Sequence, residues 1–190
     1  RTLCLSGVQS VAAGAAYVQT GGTNLLLSGG DILVLGDGTA AQPASFEITG
    51  GVWHARATAI SDGVNARVVL GREQDAWFRI ADSADVWTVV IEMTELAAGR
   101  SATLQLDGGK LTLARMGGTG GANGTHSRLL LNGTELYPER SNSAFISGMT
   151  EALMQAGGLR VNIPGGKFYK TSQSFTHDPA LGTTLDGGLT

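Results

Sequence analysis

Sixteen Asp and Glu, three His and one Cys are the side chains of this 190-residue chain that could do acid–base, metal or nucleophilic chemistry. Sugar hydrolysis needs two carboxyl groups converging on one bond. The acids here are scattered from Asp31 to Asp186. Glu92 and Glu95 are near neighbours, but in an extended strand positions three apart point to opposite faces. His54, His126 and His177 lie far apart, and none has a Cys or second His at ligand spacing. No serine sits in a G-x-S-x-G turn. The run Gly117-Gly118-Thr119-Gly120-Gly121-Ala122 has the glycines of a calcium-binding GGxGxD roll. It carries Ala where that roll has its carboxylate, so no charged ligand is offered to a hard cation. We therefore expect no catalytic residue, no metal site and no cofactor. Trp53, Trp77 and Trp87 are candidate aromatic contacts for a glycan, although aromatics recurring at equivalent repeat positions more often form an internal stack.

The composition narrows the class. Charged residues make up only 15% of the chain, against the usual quarter. Hydrophobic residues reach 42%, enough for a continuous core and too many for disorder. The 29 glycines have no triplet period and come with only 4 prolines, which excludes collagen. A net charge of −3 without a basic stripe argues against nucleic acid as a partner. No apolar run is long enough for a membrane span. The single cysteine, Cys4, excludes an internal disulfide, and its neighbours Leu3 and Leu5 suit a buried small hydrophobe. The chain opens on Arg1 and stops inside a recurring phrase, as expected of a segment of a longer protein.

That phrase is the main organising feature. Alternating apolar residues run into a glycine turn, as in Tyr17-Val18-Gln19-Thr20-Gly21-Gly22, Phe46-Glu47-Ile48-Thr49-Gly50-Gly51 and Leu104-Gln105-Leu106-Asp107-Gly108-Gly109. It returns as Leu129-Leu130-Leu131-Asn132-Gly133-Thr134, as Leu153-Met154-Gln155-Ala156-Gly157-Gly158, and in short form as Thr184-Leu185-Asp186-Gly187-Gly188. A period of roughly 24–30 residues marks a stacked array whose units cannot bury their apolar faces alone. Residues 32–54 and 67–88 read as two copies of a longer unit, the second with Ala81-Asp82-Ser83-Ala84-Asp85 in place of the double glycine. Period-two alternation sends Leu104, Leu106, Leu111 and Leu113 inward, and Gln105 and Thr112 outward.

Two geometries satisfy this pattern. Hairpins would give a β-sandwich. Corners between parallel strands would give a β-helix. One phrase recurring in one direction, with variable inserts, favours an all-β, right-handed parallel β-helix spanning residues 1–190. Residues 116–127, rich in glycine and without apolar period, are expected to leave the stack as a loop. Residues 143–156 fit strands broken by a turn at Gly148 better than a helix, where Gly148 would be costly.

These phrases resemble the autotransporter-associated β-strand repeat proteins of bacterial surfaces. Leu129 to Leu136 is similar to the family's LxFNGGTL strand, and Gln155 to Val161 to its AGGAxID strand. His177-Asp178-Pro179-Ala180-Leu181 followed by Leu185 to Thr190 looks like the lead into a GGLTKxGxGTLTL repeat. The N-terminal half matches looser LxLGxG units. Thr134 and the 81–85 segment depart from the pattern. The resemblance implies an exported, passenger-like β-solenoid at the bacterial cell surface, structural and not enzymatic. Unpaired edge strands at the two ends make self-association an expected partnership, and outward-standing tryptophans would make glycans another. A glycan-binding adhesin and a polysaccharide lyase or hydrolase are the rival readings on the same fold.

Overall fold

Short extended stretches must hydrogen-bond to backbone outside themselves, and here each pairs with the next copy of the same stretch. A computed structural model describes residues 2–6, 9–28, 31–39, 41–57 and 66–190, and its strands follow this logic. In chain order they are β1 (Thr2–Ser6), β2 (Gln9–Ala12), β3 (Ala16–Gln19), β4 (Thr23–Ser28), β5 (Asp31–Asp37), β6 (Ala44–Ile48), β7 (Val52–Ala57) and β8 (Arg67–Leu70). They continue as β9 (Ala76–Trp87), β10 (Val90–Met93), β11 (Ser101–Leu113), β12 (Arg115–Gly118), β13 (His126–Pro138), β14 (Ile146–Ser147), β15 (Glu151–Val161) and β16 (Thr176–His177). The side chain of Cys4 lies outside the described residues. The described residues form no α-helix, only two short 3-10 turns.

Every strand pairing is parallel, and the strands stack as a β-solenoid of about six turns. Each turn contributes three strand segments. The first course runs through β3, β6 and the opening halves of β9, β11, β13 and β15. The second runs through β1, β4, β7 and the closing halves of those long strands. The third is a separate six-stranded sheet, β2-β5-β8-β10-β12-β14.

The double glycines form one corner, stacked turn upon turn. At Gly50-Gly51 only Gly51 is left-handed, at φ 78°. A Cβ on Gly50 would stand 2.7 Å from the carbonyl oxygen of Thr20 in the preceding turn. Gly51 turns the chain, and both glycines let adjacent corners touch, since a Cβ on Gly51 would collide with Gly22 O. Thr134 replaces the second glycine without loss, because its Oγ1 donates to Gly108 O at 2.5 Å and accepts from Gly108 N at 3.0 Å. In the 81–85 segment Asp82 takes the turn at φ 52°, a conformation Asp tolerates better than most residues. That copy holds one extra residue: Gly108 faces Asp82, whereas Lys110 faces Asp85.

The core is a set of columns parallel to the axis. Leu104, Leu106, Leu111 and Leu113 are fully buried, as the alternation predicts. Tyr17 stacks on Phe46 at 4.5 Å, and Phe46 meets both Phe78 and Trp53 edge-on. Residues 143–156 are strands with a left-handed turn at Gly148, φ 68°. The excursion expected over 116–127 is narrower than the glycine content suggests. Arg115–Gly118 is β12, paired with β10 and β14, with Met116 in the core. His126 opens β13, so only 119–125 leave the ladder. The glycine at 118 serves close packing, since a Cβ there would stand 2.5 Å from Gly148 O.

Candidate functional site

The densest group of ionisable side chains lies on the outer side of the third course, where β5, β8 and β10 bring together residues distant in sequence. Asp31 and Arg67 are register partners. Arg67 Nε donates to Asp31 Oδ1 at 2.6 Å, and its Nη1 lies 2.8 Å from Glu92 Oε2 and 2.6 Å from Glu95 Oε1. Arg72 Nη2 reaches Asp31 Oδ2 at 2.6 Å and Glu95 Oε2 at 2.9 Å. Arg115 closes the group by donating to Glu92. Three guanidinium groups thus face three carboxylates across successive turns.

This convergence corrects the expectation for Glu92 and Glu95, which do not diverge to opposite faces. Strand β10 ends at Met93, so Glu95 lies past the region where period two applies and turns back towards Arg67. The strand end was the one signal that could have revealed it. Asp31 in this group is held in its charged form. Burial alone would raise the Asp31 pKa, but hydrogen bonds from Arg67 and Arg72 outweigh it and hold the carboxyl below its usual range. Asp31 raises Arg67 and Arg72 in turn, chiefly through those same hydrogen bonds. A general acid needs the opposite shift.

A second row crosses the first course. Arg79 bridges Glu47 on β6 and Asp107 on β11, the latter at 2.7 Å. Gln105 Nε2 donates to Asp107 Oδ2 at 2.6 Å and Asn132 Nδ2 to Asp107 Oδ1 at 3.1 Å. Asn132 Oδ1 then accepts from Gly157 N at 2.8 Å, carrying the row onto the next corner. Gln105 is thus half-buried and bonded rather than free in solvent. Further along the same face, a surface groove of about 400 Å³ is lined by Arg128, Leu130, Glu151, Leu153, Asp178 and Pro179. Arg128 Nε donates to Glu151 Oε2 at 2.9 Å. Hydrogen bonds from Gln155 and from the Ala180 amide hold Asp178 below the usual carboxylate range.

The tryptophans separate. Trp53 is 2% exposed and packs against Phe46 and Phe78, so it is no glycan contact. It faces Val86, while Trp87 faces His54; the two copies are one residue out of step, which sends one ring inward and the other outward. Trp77 and Trp87 are half-buried on the outer face. The Trp77 indole donates to Gln105 Oε1 at 3.1 Å, and Trp87 lies edge-on to His54 at 6.3 Å. The corner glycines 21, 22, 50, 51, 108, 109, 133, 157, 158, 187 and 188 stand in one row and position no reacting group. No group of three or more His, Cys, Asp or Glu among the described residues could hold a metal ion.

No protein-family model, no curated protein and no solved structure matches this chain. No helix among the described residues is long and apolar enough to cross a membrane.

Proposed function

We propose that the chain is a non-enzymatic structural solenoid, a stalk, fibre or surface-layer segment of an exported bacterial surface protein. One observation carries this reading. The densest outward charges, the Asp31–Arg67–Glu92–Arg115 and Glu47–Arg79–Asp107 rows, pair between adjacent turns, so the clustered groups that could do chemistry are engaged in holding one turn to the next. Carboxylates clamped by guanidinium groups are poor proton donors at neutral pH. The repeat phrases that resemble autotransporter-associated proteins point the same way and support a location at the cell surface. The test has two arms. Incubation with pectin-like and neutral polysaccharides should release no oligosaccharide, and protease applied to intact cells of the source should remove the protein. Turnover that disappears on changing one Asp or Glu would make the solenoid an enzyme; full protection in intact cells would place it inside.

Two further features bear on partners. The outward, half-buried indole of Trp77 beside the Gln105 amide suits the apolar face of a sugar, and supports an adhesin reading limited to Trp77 and Trp87. The most exposed apolar side chains collect at the two ends, with Leu3, Val18 and Leu27 at one and Ile163, Phe168, Leu185 and Leu189 at the other. Such surfaces favour self-association in the isolated chain. Light scattering over a concentration series measures it, with a rising mass expected.

A further inference from the structure

Charges on neighbouring turns alternate in sign through most of this solenoid. Asp31 meets Arg67, which meets Glu92, which meets Arg115. Glu47 meets Arg79, which meets Asp107. On the second course Asp85, Lys110, Glu135 and Arg160 follow one another in register. The corner after β13 departs from this alternation. The chain leaving β13 passes through Glu139, Arg140 and Ser141, and the next turn lays Lys167, Phe168 and Lys170 directly over it. Lys167 Nζ donates to Glu139 O, Phe168 N to Ser141 Oγ at 3.2 Å, and Lys170 N to Asn142 O at 2.9 Å. Arg140 thereby lies opposite Lys167, with Lys170 three residues further along the same segment. Arg140, Lys167 and Lys170 are all exposed, and none of them forms an ion pair among the described residues. Like charges on adjacent strands cost stability unless something outside compensates them. Between the two lysines sits Phe168, 65% exposed.

Tyr169 explains why this set faces outward. Its ring turns into the body against Phe145 at 5.4 Å, and its hydroxyl donates to Pro138 O at 2.9 Å. In an extended segment the residues on either side then point away from the core. Phe168 and Lys170 are therefore fixed on the surface by the burial of Tyr169.

We infer that this corner, Arg140, Lys167, Phe168 and Lys170, is a binding surface for an acidic polysaccharide, with the cations meeting carboxylate groups and Phe168 lying against a sugar face. Charge complementarity selects an anionic partner although the whole chain carries −3. The backbone segments that carry Arg140 and Lys167 are neighbours on successive turns, about 4.8 Å apart, so both cations can meet one extended polyanion. A membrane fits less well. The corner offers a single exposed ring, Phe168, whereas an interfacial anchor presents a whole apolar helix face to the bilayer. The inference does not depend on the structural role proposed above; a solenoid that failed the turnover test could still bind here.

The test is binding of polygalacturonate to the intact chain by calorimetry, with neutral dextran and phosphatidylglycerol vesicles as parallel probes. Polygalacturonate should bind at low salt and lose affinity as salt rises from about 0.02 M to about 0.5 M. The double variant Arg140→Gln/Lys167→Gln should weaken binding by about tenfold or more, and Phe168→Ala by a smaller factor. Lys110→Gln, a lysine of the alternating row, should leave binding unchanged. These positions are exposed, and unchanged circular dichroism confirms that each variant is folded. The inference is overturned by absence of binding at low salt, by equal affinity in the double variant, by equal binding of dextran, or by tighter, Phe168-dependent binding to the vesicles.

Discussion

Inside the solenoid, like stacks on like; outside, opposites stack. The inner column Phe46, Phe78, Leu104, Leu129 repeats large apolar side chains from turn to turn. The outer column Asp85, Lys110, Glu135, Arg160 alternates sign over the same kind of parallel ladder. Both follow from one geometry, in which each residue sits beside its counterpart one turn away. Dispersion and water exclusion reward a neighbour of the same kind and matching shape. Coulomb interaction rewards the opposite sign and penalises repetition. The two columns should therefore differ in how much stability each side chain carries, and the expected effects run from the inner column outward.

The largest effect is expected inside. Leu106 is fully buried between Ile80 and Leu131 in the neighbouring turns. Leu106→Ala should lower stability by about 2–5 kcal/mol, because flanking turns cannot close around the void. Urea unfolding measures it, and a loss near zero would mean that the inner column is not the main support.

The Asp31–Arg67–Arg72–Glu92–Glu95 group comes next, since it lies outside yet is partly buried; the Glu92 side chain is only 7% accessible. Arg67→Gln leaves Asp31, Glu92 and Glu95 with fewer partners, and should cost about 1–3 kcal/mol, mostly from the unpaired carboxylates. Replacing Arg67 and Glu92 together by Met and Leu should recover much of that loss. If the double replacement is no better than the single one, the packing of the arginine stem matters more than its charge.

Acid should separate the two columns without mutation. Asp31 and Asp178 have folded pKa values below their ordinary ones. Their contribution is complete above the unfolded value of about 3.9 and is lost as pH falls through the lower folded values. Stability should thus decline below about pH 4, more in the wild type than in Asp31→Asn, while the inner column is indifferent to pH. Parallel pH curves for the two proteins would remove Asp31 from the account.

The inner column was legible in the sequence because period two and a glycine corner are local signals. Alternation at Leu104 to Leu113 assigns the core without knowledge of any neighbour. The parallel stack was legible from recurrence of the phrase. The charged group was not, because Asp31, Arg67 and Glu92 are brought together by register between turns whose lengths vary. The third-course strands are also short, so β10 stops before Glu95 and local alternation misplaces it. Trp53 and Trp87 failed for a related reason: one extra residue in the 81–85 corner shifts all that follows by one position, and a shift of one exchanges inside for outside. Glycine richness over 116–118 was read as looseness, when its use there is close packing.

The smallest effect should come from the exposed outer column, and it sharpens the comparison most. Lys110 Nζ lies 3.9 Å from Asp85 Oδ1, with the two side chains 43% and 38% accessible, and the ammonium also stands 4.8 Å from the Tyr137 ring centroid. Water screens such a pair, and ordering two exposed side chains offsets much of the attraction, so Lys110→Gln should cost only about 0–1 kcal/mol. A double-mutant cycle with Asp85→Asn should give a coupling of a few tenths of a kcal/mol, fading in salt of about 0.5 M. Reversal should matter more than removal. Lys110→Glu would place three carboxylates in succession at 85, 110 and 135 on adjacent strands, and like charges directly opposite are unfavourable. If Lys110→Glu destabilises clearly more than Lys110→Gln at low salt and equally at high salt, the alternation acts by avoiding like-charge repulsion more than by attraction within each pair. Equal losses at every salt concentration would mean that the lysine contributes through its alkyl stem on Tyr137, and that the alternating signs in this column have no energetic role.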